Sequence, residues 1–186
     1  MTQPEDARGR VLLALARASL AEALGGTKAV VPDERWLFEP GACFVTLKRH
    51  GELRGCIGSI EARRPLEQDL RENARSAAFR DPRFPPLDEG ELASTRIEVT
   101  LLSKLEPLDV ETEAQAIAAL RPGVDGVVLS WGLRRGVFIP QMWERLPDPA
   151  DFLRTLRRKA GLPADGWPSG ARVQRFTAQS WEEEEA

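Results

Sequence analysis

The chain has 186 residues, 42% hydrophobic and 30% charged, which suits one globular domain or two small lobes sharing a core. A single His (His50), two Cys (Cys43 and Cys56) and no Tyr exclude a four-Cys zinc site, any site needing two His, and a disulfide framework. Carboxylates still leave room for Mg or Mn. The net charge is −3, yet four glutamates stand together at 182–185, so the rest of the chain is close to neutral. That balance does not fit a dedicated nucleic-acid binder, and residues 182–186 read as an acidic, disordered tail after a domain spanning 8–181.

The N-terminus opens polar and acidic, and the apolar stretch from 11 to 24 is broken by Arg17, Ser19 and Glu22. It is too short and too polar for a membrane span, and it lacks the basic start of a signal peptide. The expected location is the cytoplasm, with both thiols reduced.

Residues 5–24 predict an amphipathic helix, with Leu12, Leu13, Leu15, Leu20 and Leu24 apolar and Gly25-Gly26 as its stop. Residues 42–48 alternate, placing Cys43, Val45 and Leu47 on one face. His50-Gly51 then makes a hairpin turn into a second strand over 53–60. Counted from a two-residue turn, Lys48 faces Leu53, Val45 faces Cys56 and Cys43 faces Gly58. Both thiols then share a face as diagonal neighbours, too far apart for an unstrained disulfide.

Pro65 opens a second helix, whose buried stripe is Leu66, Leu70, Ala74, Ala77 and Ala78 and whose end is Asp81-Pro82. Residues 83–90 form a Pro-stiffened loop. A strand follows over 95–103, then a short helix over 111–120 ended by Pro122-Gly123. Residues 126–131 and 136–139 predict a hairpin with Arg134-Arg135 at its tip. Asp148 caps a helix over 149–160 that Gly161 closes, and 172–178 is a last strand. The order predicts an α+β fold, mainly antiparallel sheet with flanking helices.

Chemistry concentrates in two segments. Leu53-Arg54-Gly55-Cys56-Ile57-Gly58 carries two glycines inside a strand, which call for a bulge or the close approach of a ligand or another backbone. Arg54 and Cys56 alternate onto one face, where a guanidinium would favour the thiolate. Arg80-Asp81-Pro82-Arg83-Phe84-Pro85-Pro86 puts two Arg, an Asp and an aromatic ring on a rigid loop. The functional reading is a reactive Cys56 assisted by Arg54, with Gly55, Gly58, Arg80, Asp81 and Arg83 binding a small anionic ligand. The structural reading is a packed Cys, an internal ion pair and a helix C-terminus dressed with Arg. Arg154, Arg157 and Arg158 share a helix face that is either solvated or RNA-facing.

Gly41-Ala42-Cys43-Phe44-Val45-Thr46-Leu47, the two motifs above, Ile97-Glu98-Val99-Thr100-Leu101-Leu102-Ser103, Pro140-Gln141-Met142-Trp143 and Lys159-Ala160-Gly161-Leu162 closely resemble the AMMECR domain family. The C-terminal half is similar to its bacterial branch, AmmeMemoRadiSam system protein A, whose gene is associated with Memo-like and radical S-adenosylmethionine (radical-SAM) proteins. The resemblance implies two unequal lobes sharing a cleft lined by these motifs, with Arg54–Gly58 near the Arg80–Pro86 loop. The resemblance names the fold rather than the reaction; the Cys56 setting points to an enzyme or enzyme-associated subunit, the scarcity of acid–base groups to a non-catalytic partner subunit, and no cofactor is expected. The eukaryotic branch often has His-Gly where this chain has Asp125-Gly126, which argues against a His base there.

Overall fold

The structure, a computed structural model, describes residues 4–163 and 166–184. The chain forms two compact units, residues 1–102 with 179–186, and residues 103–178. Both are antiparallel sheets with flanking helices, as the sequence predicts.

In the first unit the long helix α1 (Pro4–Ala23) ends at Gly25, whose φ of 91° only glycine adopts cheaply. Strands β1 (Pro40–Arg49) and β2 (Glu52–Gly58) form the expected hairpin. His50 and Gly51 both have positive φ, the backbone that a two-residue hairpin turn demands. The short β3 (Arg64–Pro65) pairs with the start of β1. Helix α2 (Leu66–Phe79) follows, and β4 (Thr95–Leu102) pairs with β1 along its whole length. The sheet order is β2-β1-β4-β9, where β9 is Ala178–Glu182. The inward residues Cys43, Val45, Leu47, Ile97 and Val99 are sealed beneath Leu12, Leu15 and Leu20 of α1 and Leu70, Ala74 and Ala77 of α2.

The hairpin register departs from the count made back from the turn. Lys48 does face Leu53, but Leu47 faces Gly55 and Thr46 faces Cys56, so Arg54 is the extra residue of a β-bulge. The bulge reverses the face of everything beyond it. Cys56 stands opposite Thr46 on the outer face, while Cys43 is fully buried on the inner one. The two thiols therefore do not share a face.

The second unit is a four-stranded sheet in the order β5-β8-β6-β7. Its strands are β5 (Glu106–Leu108), β6 (Gly126–Trp131), β7 (Arg134–Phe138) and β8 (Arg172–Phe176). The hairpin turn falls at Gly132-Leu133, so Arg134 and Arg135 lie in β7 rather than at the tip. A short helix runs from Glu113 to Ala119, with Thr112 and Gln115 as its capping box. The helix Pro149–Ala160 is capped by Asp148 and closed by left-handed Gly161, as expected. Its Arg157 is not part of a solvated stripe: it is 6% exposed and bonds Glu113 at 2.8 Å and the Pro163 carbonyl at 2.7 Å.

The last predicted strand divides in two. Thr177 separates β8 from β9, and β9 belongs to the first sheet. The acidic residues at its end are not simply solvated. Glu182 closes β9 and bonds Lys48 at 2.9 Å, and Glu183 accepts from Arg17 and from the Ile97 N–H. Positive side chains supplied by β1 and α1 hold these carboxylates. The tail residues Glu185 and Ala186 lie outside the described residues. Among the described residues no helix is long and apolar enough to cross a membrane.

Candidate functional site

The edge strand β2 and the loop after α2 come together in the first unit. Cys56 sends its backbone N–H off the open edge of the sheet, where the Asp81 carboxylate accepts it at 2.9 Å. The same carboxylate takes the Arg83 backbone N–H at 3.1 Å and its Nε and Nη2 at 2.9 and 2.6 Å. Arg83 Nη2 also reaches the Cys56 carbonyl at 3.4 Å. Asp81 is 4% exposed, and these charge-assisted bonds, with the Arg83 guanidinium first among them, hold its carboxyl well below the usual carboxylate range. Arg83 keeps a half-exposed side chain and lies within electrostatic reach of the Cys56 thiol.

Cys56 is half-buried and free, and Thr46 Oγ1 donates to its Sγ at 3.3 Å across the hairpin. Cys43 differs completely. Burial pushes its thiol well up, helped by the carboxylate of Asp69, to which the Cys43 N–H donates at 3.0 Å. Asp69 also accepts from Ser59 at 2.6 Å, Arg64 at 3.0 Å and Asn73 at 2.9 Å, which ties β1 and the loop after β2 to α2.

Arg54 is committed to a carboxylate. Only 8% exposed, it gives Nε and Nη2 to the two oxygens of Glu91, at 3.1 and 2.8 Å. Its Nη1 makes no hydrogen bond among the described residues, and the guanidinium faces the Phe84 ring at 5.9 Å. Arg83 faces the same ring at 5.4 Å. Glu91 also takes Arg49 at 2.7 Å and the Asp88 N–H at 3.2 Å, and Arg54 first among these partners draws its carboxyl down to about 2. The sequence reading missed Glu91, ending its loop at residue 90 and assigning no element before Thr95. It belongs to the helix Glu89–Leu92, and Asp88 with Glu91 three residues later is a legible capping-box signal.

The glycines have packing reasons. A Cβ at Gly55 would run into the Ala77 carbonyl oxygen, so glycine lets α2 lie directly on β2. A Cβ at Gly58 would meet the Phe44 ring across the hairpin. Arg80 points elsewhere, pairing with Glu72 at 2.6 Å. Of the sequence candidates, Cys56, Asp81 and Arg83 are in direct contact, Arg54 and Arg83 share the Phe84 ring, and Arg80 pairs with Glu72 instead. Among the described residues no three His, Cys, Asp or Glu side chains form a set that could hold a metal ion.

Comparison with known proteins places this geometry in context. The family model described as AMMECR1 matches residues 13–181. A protein of Methanothermobacter thermautotrophicus is 40% identical over 95% of this chain and 94% of its own length. Protein MJ0810 of Methanocaldococcus jannaschii is 38% identical over 95% of this chain and 90% of its own. Among solved structures, the crystal structure of uncharacterized protein PH0010 from Pyrococcus horikoshii superposes with a TM-score of 0.79 at 32% identity, covering 95% of this chain and 91% of that one.

Proposed function

Because this chain belongs to the AMMECR1 family, we propose that it is an enzyme or enzyme-associated subunit whose working group is the Cys56 thiol and whose ligand is a small anion drawn to Arg83. The observation that carries this reading is a half-open thiol on a residue whose backbone carbonyl receives Arg83, a guanidinium already oriented by Asp81. Asp81 occupies Nε and Nη2, leaving the Nη1 side of Arg83 for a ligand oxygen. Thr46 supplies a hydroxyl that donates a hydrogen bond to the sulfur. Arg54 serves as a buried support beneath Phe84 rather than as an activator of the thiol.

Competing alkylation rates test the reading. Iodoacetate and iodoacetamide differ in charge but both label thiols. Arg83 should raise the iodoacetate-to-iodoacetamide rate ratio at Cys56 several-fold above that of free cysteine, and Arg83→Ala should return it to the free-cysteine value. Cys43 should stay unlabelled until the protein unfolds. A native Cys56 that is inert, or that shows the free-cysteine ratio, removes the proposal.

A second reading is a non-catalytic subunit working with Memo-like and radical-SAM proteins, as in the bacterial branch. It is favoured by the commitment of Arg54 to Glu91, which spends that cation on structure. Co-purification with those proteins, unchanged by Cys56→Ala, is the result expected of it. A complex that forms only with the free thiol points back to the first reading.

A further inference from the structure

The Pro140-Gln141-Met142-Trp143 motif has no part in the thiol site. It lies in the second unit, where the 3-10 turn Pro140–Glu144 borders a cavity of about 500 Å³. That volume falls in the range of small-molecule sites. The lining is mainly apolar: Pro122, Pro140 and Pro147 with Trp143, joined by Gln141 and Glu144.

These walls are rigid. The Trp143 indole N–H donates to the Asp125 carbonyl at 2.7 Å, and its ring stacks on Phe152 with centroids 3.8 Å apart. Asp125 is fully buried and its carboxylate takes the Arg121 N–H at 2.9 Å and the guanidinium at 2.6 and 3.0 Å. Three prolines fix the rest of the rim. A pre-formed apolar pocket spares its ligand the entropy of ordering the walls.

Charge selects the ligand. Glu144 is the charged side chain of the lining, and among the described residues it has no ion-pair partner. Arg121 is committed to Asp125, and Arg145 does not line the cavity. We propose that this cavity binds a small organic cation, an apolar ring or chain bearing an ammonium group, with the apolar body against the prolines and Trp143 and the ammonium at Glu144.

The test is a titration of the full chain with phenethylamine, followed by amide and indole N–H chemical shifts. Saturable shifts are expected at Gly123, Gln141 and the Trp143 indole. Phenethyl alcohol, the same body without the charge, should bind about fivefold more weakly, and phenylacetate more weakly still. Glu144 is exposed, so Glu144→Gln should keep the fold while lowering amine affinity to that of the alcohol. Cys56→Ala should change none of this. Shifts that do not saturate, equal affinity for the three probes, or an unaltered Glu144→Gln would each overturn the proposal.

Discussion

The Asp81 carboxylate closes the open edge of β2 by accepting the Cys56 N–H at 2.9 Å while gripping the guanidinium of Arg83. An exposed sheet edge otherwise presents unpaired N–H groups to other chains. Asp81→Asn would turn an amide N–H toward donors and lose the charge. It should cost about 2 kcal/mol and speed hydrogen exchange of the Cys56 amide roughly thirtyfold. The Ile57 amide, whose residue pairs with Val45 inside the hairpin, should stay protected. Equal acceleration at both amides would mean that Asp81 supports the strand as a whole rather than its edge.

Glu91 gives the fold an acid-sensitive joint. Its carboxyl is lowered to about 2 in the folded state, mainly by Arg54, against an unfolded value of about 4.3. A depressed folded value means the stabilisation is fully present above the unfolded value and lost as pH falls from about 4.3 through 2. Glu91→Gln should therefore cost about 2 kcal/mol at neutral pH, and the gap to the unmodified chain should close near pH 2. Urea unfolding at several pH values measures this directly, and a gap independent of pH would assign the loss to packing.

Gly55→Ala should be among the most damaging small substitutions in the first unit. The added methyl meets the Ala77 carbonyl oxygen, which is helix backbone and cannot rotate away. Separating α2 from β2 should cost about 3 kcal/mol. Cys56→Ala, one residue on and facing outward, should cost less than about 1 kcal/mol. Thermal melts of the two variants compare them, and similar losses would contradict the close helix–strand contact.

Local patterning carried much of the fold. The alternation Cys43, Val45, Leu47 and the stripe Leu66, Leu70, Ala74, Ala77 each record one buried face, and the turn and capping residues mark their own backbone demands. The α+β character followed from those elements, and the resemblance to the family rested on motifs readable in one dimension. The pairing of Asp81 with Arg83 also lies within reach of sequence, because the two are only two residues apart.

Other features depended on which element lands beside which. One inserted residue at Arg54 moved Cys56 to the opposite face from Cys43, a change that strict alternation cannot register. The ion pair of Arg54 with Glu91 joins residues 37 apart, and that of Arg17 with Glu183 joins residues 166 apart. Charge partners of this kind are chosen by tertiary proximity, since any Arg could pair with many carboxylates. By itself the sequence determined an α+β chain, close to neutral apart from its glutamate run and with one thiol in a chemically distinctive setting, because composition and periodicity are local properties. Tertiary structure decided that Arg83 reaches the backbone of Cys56 while Arg54 pairs with Glu91, because a bulge and a packed helix set the direction in which each side chain leaves the strand.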